Sequence, residues 1–533
     1  RPVRWIVALF GNDVIDFEYA GLNASNKTFG HRFLAPGPFE VPSAADLLDT
    51  VRAAKVVPAH GEREALIRQQ IEVVEQQTGL KADLPKKTLV EVVNLAEYPT
   101  VMVGVFDEEV LAVPEEIIVD AMLMHQRYFP LYQADGKLSN KFIVVSNGDP
   151  AHVDTIVDGN ERVVRARLYD AKFFYDEDLK QPLEAYVPAL ADVVFQEKLG
   201  TVLDKTVRIE KIVDHLASVA GLEAKDAADA KRAAHLAKAD LVTSAVVEFT
   251  SVQGIMGSYY AAAAGETPQV ASAIAQHYQP KFAGDALPDT IVGQLVAFAD
   301  KLDTICGLFA IDQGPTGSSD PFAIRRSAIG IVNMLNADLP VSLEDAIRFT
   351  LDNFTELAFD KAEIQKQIED FFITRARVMA QDAGHSLDAI EAVLAGGVKE
   401  PAEFAKRVSV LERFRAQNAE EMQDLSTAFA RANNLRDKEV GTELNESALD
   451  EVEVALRDAV DKADMLVAQA LAEENYEEAL VALAALRVPI DTFFDKVMIM
   501  DEDPVKRANR LALLNRFIGV FAHVADFSHL AKK

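Results

Sequence analysis

Most of the sequence, from about residue 191 to its end, repeats apolar residues at the spacing of amphipathic helices. Stretches such as "EIQKQIEDFFITRARVMAQ" and the Ala/Leu/Glu-rich C-terminal part carry this pattern. Short β-rich runs, "VRWIVALF", "TVMVGVF" and "KFIVVSN", occur before about residue 190 among helical patterns. The sequence therefore predicts a multidomain, predominantly α protein with an N-terminal α+β region.

Changes in this pattern divide the 533 residues into regions. We expect an α+β region over 1–190, a helical domain with Gly and Pro breaks over 191–345, a helical linker region over 346–435 and a helical C-terminal domain over 436–533. No apolar run approaches the ~20 residues of a bilayer span, so we expect no membrane insertion. One cysteine and the lack of a secretory apolar segment favour a reducing cytoplasm.

The chain is strongly acidic, with a formal net charge of -30 and a pI near 4.8. This charge opposes nonspecific attraction to nucleic-acid phosphates, and we expect no DNA partner. A specific nucleic-acid ligand would have to be held by short basic segments. The distribution of charge is therefore more informative than its sum.

The segment "GNERVVRARLYDAKFFYD" concentrates cations in a few helical turns. At helical spacing one face carries a basic stripe, defined as Arg162, Arg165, Tyr169 and Lys172. The adjacent face is apolar and predicts a buried side: Val164, Leu168, Ala171 and Tyr175. The stripe suits a polyanion such as RNA, with Tyr169 able to stack or bond. The alternative is a solvated face that pairs with nearby acids.

A second cationic segment, Val505 to Arg516, has four cations and no acid. The preceding "DEDP" predicts a helix start with Pro504 in the first turn. Lys506 and Arg510 then share a face, and Arg507 lies nearby. We predict that these three form a basic turn that binds nucleic acid. Arg516 points elsewhere, and a salt bridge at the edge of a core is its alternative role.

Motifs for independent catalysis are missing. "DQGPTGS" is glycine-rich but lacks the lysine and hydroxyl ending of a phosphate-binding loop, so it predicts a turn. Cys306 lies in an apolar run, and no G-x-S-x-G elbow is present. The histidines show no metal-ligand spacing and are expected to be structural. We therefore assign no catalytic and no metal-binding residue.

Several helical stretches between residues 202 and 305 follow the order of helices in HD-domain phosphohydrolases. In that resemblance Lys205 stands where the first histidine is expected, and Ala239 replaces the histidine of the His-Asp pair. Asp240 and Asp300 remain. Two carboxylates without imidazoles suit a transition metal poorly, and Lys205 could pair with them instead. We expect a degenerate HD-like scaffold without bound manganese, iron or zinc, and disfavour the alternative of an active phosphohydrolase.

Long strings along nearly the whole chain resemble the β subunit of the bacterial heterotetrameric glycyl-tRNA synthetase. They include "RPVRWIVALFG", "GHRFLAP", "MLMHQRYFPL", "KADLVTSAVVEFTSVQGIMGSYYA", "PTGSSDPFAIRRSAIGI" and "FFDKVMIMDEDPVKRANRLALL". The family normally extends well upstream of a segment like "RPVRW", so the sequence is expected to be a shortened form.

The resemblance implies a division of labour within an α2β2 complex. It implies that the α subunit makes glycyl-adenylate with ATP and Mg²⁺, whereas this chain binds tRNA(Gly) and no cofactor. Region 1–190 would be similar to the B3/B4 domains of phenylalanyl-tRNA synthetase, and 436–533 to the anticodon-binding domain of arginyl-tRNA synthetase. A purely structural helical scaffold, without tRNA affinity, is the remaining alternative.

Overall fold

A computed structural model describes residues 3–317 and 319–530 of the chain. Helices dominate, and the strands are confined to the part before residue 202. The predicted fold class, predominantly α with an α+β first region, is confirmed. The described residues form two compact units, both discontinuous in sequence: the residues up to Leu190 with Lys238–Glu266, and Ala191–Ala237 with the residues from Thr267 onward. The four-region division remains a prediction.

The strands are short, and most pair locally. They are β1 (Ile6–Val7), β2 (Leu9–Phe10), β3 (Asp13–Val14), β4 (Glu18–Tyr19), β5 (Leu22–Ser25), β6 (Lys27–Thr28), β7 (Phe39–Glu40), β8 (Lys81–Ala82), β9 (Thr100–Val105), β10 (Phe129–Tyr132), β11 (Leu138–Ser146), β12 (Val194–Gln196) and β13 (Gly200–Thr201).

The helices run through both units. They are α1 (Leu47–Ala53), α2 (His60–Thr78), α3 (Lys86–Leu95), α4 (Glu115–Asp120), α5 (Val153–Asp178), α6 (Val202–Val219), α7 (Ala224–Leu236), α8 (Ser244–Glu248), α9 (Ile255–Ala263), α10 (Pro268–Gln276), α11 (Ile291–Ala310), α12 (Ile324–Asn336), α13 (Leu343–Asp352), α14 (Lys361–Asp382), α15 (Leu387–Ala395), α16 (Pro401–Gln417), α17 (Ala419–Leu435), α18 (Glu451–Ala472), α19 (Tyr476–Ala484), α20 (Arg487–Lys496) and α21 (Pro504–Phe521).

The largest sheet of the first unit is four-stranded and antiparallel, in the order β8-β10-β11-β9. Apolar residues of β10 and β11 pack with α2 and α3 into one core: Ile67, Ile71, Leu89, Val92, Val93, Phe129, Leu131 and Ile143. Gly104 on β9 lies against Phe142, and a Cβ there would come within 2.4 Å of the ring. The sheet therefore requires glycine at this position.

The long helix α5 lies against β9 in the first unit. Val164, Leu168 and Ala171 are buried, as predicted for the apolar face, whereas Tyr175, its fourth predicted member, is only partly buried. At the end of α5, the buried Asp178 carboxylate accepts hydrogen bonds from Ser244 N–H, at 2.8 Å, and Ala245 N–H, at 2.9 Å. Because these N–H groups begin α8, Asp178 links the end of α5 to the start of α8 within the first unit.

The second unit is organised around α11, which packs against α6, α7, α10 and α12–α14. Most of α11 is buried, as expected of a helix that is apolar nearly all round. α6 begins with a capping box in which Thr201 and Asp204 satisfy each other's backbone N–H groups. This cap fixes where α6 starts and therefore where its buried side chains meet α11.

The last helices share one hydrophobic core, from Ala376 on α14 to Leu530. Four phenylalanines form its aromatic centre: Phe429, Phe517, Phe521 and Phe527. The core thus draws on residues from both sides of position 436. No helix of the described residues has the length and apolarity needed to cross a membrane.

Candidate functional site

Each cation of the basic stripe on α5 has a carboxylate partner. Arg162 pairs with Asp158 one turn earlier at 2.5 Å, and Lys172 pairs with Asp176 one turn later at 2.6 Å. The Arg165 Nε lies 3.2 Å from an Asp107 carboxylate oxygen. The charges of the stripe are therefore locally compensated, which is the arrangement of the solvated-face alternative. A polyanion would have to compete with these acids.

Tyr169, the aromatic member of the stripe, donates its hydroxyl hydrogen to Asp107 at 3.1 Å. Hydrogen bonds to Glu109 and Asp107 raise the pKa of Tyr169 to about 12. The phenol therefore remains protonated at neutral pH, and its donor is directed at carboxylates of the same unit. Its ring is half exposed and open to a stacking partner.

The basic turn begins α21 as predicted. Pro504 occupies the first helical turn, and the Asp503 side chain accepts a hydrogen bond from Val505 N–H at 2.9 Å. Lys506 and Arg507 are exposed in the next turn. Within the part of the chain that the structure describes, neither makes an ion pair or a side-chain hydrogen bond. These two cations are therefore available to an outside anion.

Arg510 differs from its two neighbours. We expected it on the same surface as Lys506, and this was wrong, because its side chain is only 7% exposed. Its guanidinium donates to the buried Glu453 at 2.5 Å, to Asp501 at 2.6 Å and to the Met498 carbonyl at 2.8 Å. Burial alone would lower the pKa of Arg510, but the two carboxylates raise it above its usual range. Arg510 therefore holds structure together rather than facing solvent.

Arg516 points away from the basic turn, as predicted. It pairs with Asp461 on α18 at 2.7 Å, which is the salt bridge that the sequence left as its alternative role.

Lys205 pairs with Asp300, one of the two acids that the sequence suggested, and with Asp303. Its Nζ lies 3.1 Å from the Asp300 carboxylate and 3.1 Å from that of Asp303, and it also donates to Thr304 at 2.8 Å. Arg208, one turn later on α6, donates two hydrogen bonds to Asp303, at 2.6 and 3.2 Å. Two cations and two carboxylates therefore form a buried network, defined as Lys205, Arg208, Asp300 and Asp303.

Arg208 and Asp303 were not among the residues predicted from the sequence. A usable signal existed, because α11 is almost entirely apolar and yet carries carboxylates at 300 and 303, one turn apart. Acids at that spacing on a buried helix require compensating cations. Lys205 and Arg208 have the same three-residue spacing on α6.

Asp240, the other surviving acid of the HD-like pattern, belongs to the first unit. One carboxylate oxygen accepts hydrogen bonds from Gly254 N–H, at 2.5 Å, and Gly257 N–H, at 3.0 Å. Complete burial raises the pKa of Asp240 to about 6, although both N–H groups act in the opposite direction. Asp240 thus fixes the backbone at the start of α9.

Several histidines of the second unit contact carboxylates or backbone, as His277 does with the Ile274 carbonyl. His215 lies 2.6 Å from Asp345 and stacks on Phe349, and His235 lies 2.7 Å from Glu210. Among the described residues there is no group of three or more His, Cys, Asp or Glu side chains placed to hold a metal ion. Burial raises the pKa of Cys306 well above its usual range, so its thiol is a poor nucleophile.

An acidic, mainly helical chain with an exposed basic turn is compatible with a subunit of an RNA-dependent enzyme, and comparison with known proteins identifies the family. Residues 1–395 match the family model described as the glycyl-tRNA synthetase beta subunit. Residues 425–526 match the DALR anticodon binding domain. The chain belongs to the glycyl-tRNA synthetase beta subunit family, as its sequence resemblance predicted.

Named relatives agree over the whole chain. The chain is 42% identical to the glycine–tRNA ligase beta subunit of Desulforamulus reducens and 43% identical to that of Moorella thermoacetica. The corresponding protein of Clostridioides difficile is 40% identical. In the first two cases 99% of this chain and 77% of the relative are covered. The predicted enzyme class, a subunit of an aminoacyl-tRNA synthetase, is confirmed, and the phosphohydrolase alternative is not favoured.

Proposed function

We propose that this chain binds tRNA(Gly) and presents it to the α subunit of an α2β2 glycine–tRNA ligase in the cytoplasm. The family name implies an α-subunit partner and tRNA. The observation that carries the proposal is the position of the anticodon-binding match, residues 425–526, within the helical core that runs from Ala376 to Leu530. Glycine activation with ATP and Mg²⁺ is assigned to the α subunit, and no cofactor and no catalytic residue to this chain.

The HD-like scaffold fits this role as a structural element. By the sequence resemblance Lys205 stands at the position of a metal ligand, and its ammonium group forms ion pairs with the Asp300 and Asp303 carboxylates. A cation held in this way replaces the charge that a metal would supply. We therefore propose that this part of the second unit supports the tRNA-binding surfaces without hydrolysing phosphate esters.

The charge distribution supports selective rather than general RNA binding. A net charge of -30 repels RNA over most of the surface, and specificity is a difference between binding free energies. Lys506 and Arg507 are exposed without an ionic partner in the described chain, whereas Arg162, Arg165 and Lys172 are paired. The basic turn is therefore proposed as the principal anchor and the stripe as a secondary one.

The function is tested by assigning activity to subunits. Glycylation of tRNA(Gly) is measured with the α subunit alone, with this chain alone and with both together. We expect efficient charging only in the mixture, and glycyl-adenylate formation wherever the α subunit is present. Charging by the α subunit alone at the rate of the mixture would contradict the proposal, and so would adenylate formation by this chain alone.

The two cationic surfaces are compared by paired substitutions. Lys506→Gln with Arg507→Gln is expected to weaken tRNA binding more than Arg162→Gln with Arg165→Gln, because the stripe arginines must first leave their carboxylates. Each lost phosphate contact should flatten the salt dependence of binding by about one unit of log-log slope. Binding is measured at several salt concentrations, and thermal melting should barely change in either variant.

An equal loss of affinity in both pairs would contradict this ranking. A lowered melting temperature with unchanged tRNA affinity would show that the residues are structural.

Anticodon reading is tested with tRNA carrying altered anticodon bases and the intact chain, since removal of residues after 435 would cut the core that begins at Ala376.

A further inference from the structure

The segment that joins α20 to α21 presents two methionines to solvent. Met498 is 76% exposed and Met500 is 62% exposed. Val497 and Ile499, which alternate with them, are buried in the core of the last helices. The segment is therefore anchored through every second side chain, and both thioethers project from the side that faces away from the core.

Arg510 holds the backbone of this segment from the buried side. Its guanidinium binds the Met498 carbonyl at 2.8 Å and the Asp501 carboxylate at 2.6 Å. The third acceptor, Glu453, lies 2.5 Å away and also accepts the Asp450 N–H in the capping box of α18. A planar guanidinium with several fixed acceptors leaves little freedom to the backbone on which Met498 lies.

The charges beside the methionines favour a polyanionic partner. Asp501 is compensated by Arg510, and Asp503 is engaged in capping α21. Glu502 and Asp503 are exposed acids of the segment, and Lys506 and Arg507 are exposed cations in the first turn of α21. The two methionines offer an apolar contact for a base. The two cations, which lack an ionic partner in the described chain, offer a contact for the phosphates next to that base.

Methionine is a suitable contact for an unpaired base. Its flexible, polarisable thioether packs favourably against aromatic rings and adapts to their position. Unpaired bases expose such rings, and sequence-tolerant binding of single strands relies on contacts to their faces. Two large exposed apolar side chains in one anchored segment offer a surface that a partner can cover.

We propose that Met498 and Met500 form a platform for unpaired anticodon bases of tRNA(Gly), with Lys506 and Arg507 on the adjoining phosphates and Arg510 as a positioning residue. This inference rests on the proposed function, because it specifies where the bound tRNA meets the anticodon-binding part. The two methionines belong neither to the basic stripe nor to the basic turn.

The test uses the intact chain with the α subunit and the double substitution Met498→Ala with Met500→Ala. Met465→Ala is the matched control, because Met465 is 65% exposed on α18 of the same unit. The KM for tRNA(Gly) should rise roughly tenfold in the double variant, with unchanged kcat and unchanged melting. With tRNA that lacks the anticodon bases, the double variant and the parent should have the same KM.

The outcomes distinguish a failure of the methionine platform from a failure of the proposed function. If the parent charges tRNA without anticodon bases as well as intact tRNA, anticodon reading by this chain is wrong. If the parent distinguishes the two tRNAs and the double variant does so equally, the methionine platform is wrong. Loss of α-subunit binding in the double variant, measured by sedimentation, would show that the methionines contact protein instead and would also overturn the platform.

The positioning role of Arg510 has its own readout. Arg510→Lys keeps the charge but cannot reach all three acceptors, so it should lower the melting temperature and, in the chain that remains folded, raise the KM for intact tRNA without changing kcat. Unchanged KM in this variant, together with an impaired methionine double variant, would remove Arg510 from the proposal.

Discussion

Replacement of Asp303 by alanine is expected to lower the free energy of unfolding of the second unit by about 3–5 kcal/mol. Asp303 is fully buried and accepts two hydrogen bonds from Arg208 and one from Lys205. The substitution leaves two buried cations with one carboxylate. The cost arises mainly from the uncompensated charge, because removal of one partner of a buried pair is far more destabilising than replacement of the whole group.

Chemical denaturation followed by far-ultraviolet circular dichroism measures this effect, since most helices lie in the second unit. Asp214→Ala is the matched control, because Asp214 pairs with Lys231 at 3.4 Å on an exposed surface. The control should change stability little. A loss below about 1 kcal/mol in Asp303→Ala would mean that Arg208 and Lys205 find other partners or water, and the network would then not be a determinant of the fold.

The buried network bears on the HD-like resemblance as well as on stability. Lys205 stands where a metal ligand was expected and donates to the Asp300 carbonyl, to the Asp303 carboxylate and to Thr304, and it forms an ion pair with the Asp300 carboxylate. Arg208, on the same helix, adds a second cation. Its guanidinium carbon lies 4.7 Å from the centre of the Phe354 ring. The two cations of α6 and the two carboxylates of α11 therefore compensate each other's charge, which stabilises the contact of α6 with α11.

The sequence could predict those features that depend on local pattern. The helix start at Pro504 and the buried face of α5 follow from capping preference and from apolar spacing, both of which operate within one helix. The family assignment follows from long strings in a fixed order. These signals require no knowledge of what packs against the segment.

Other features depended on distant partners and could not be predicted in this way. The four-residue spacing of Lys506 and Arg510 predicts that both lie on one exposed face of α21. Arg510 is nevertheless buried, because its counterion is the buried Glu453, 57 residues earlier in the chain. Likewise, the charges of the stripe are balanced partly by Asp107, which is 62 residues from Tyr169. Side-chain direction on a helix decides exposure only when the neighbouring elements are known.

Asp240→Asn is expected to change the pH dependence of unfolding of the first unit. Burial raises the pKa of Asp240 to about 6, whereas an unfolded aspartate has a pKa of about 3.9. Between these values the folded state binds more protons than the unfolded state, so stability from this group rises as pH falls from about 6 to about 4. At neutral pH the ionised carboxylate opposes folding by about 3 kcal/mol, which corresponds to a shift of about two pKa units.

Asparagine removes this titration and keeps an oxygen that can accept from Gly254 and Gly257 N–H. The stability difference between variant and parent should therefore shift by about 3 kcal/mol in favour of the variant as pH rises from about 4 to about 7. Fluorescence of Trp5, the single tryptophan, reports on the first unit. Asp135→Asn is the control of opposite sign, because the Lys137 N–H lowers the pKa of the exposed Asp135. Parallel pH profiles for the Asp240 variant and the parent would show that Asp240 does not titrate in this range and that its carboxylate is stabilised in the folded state.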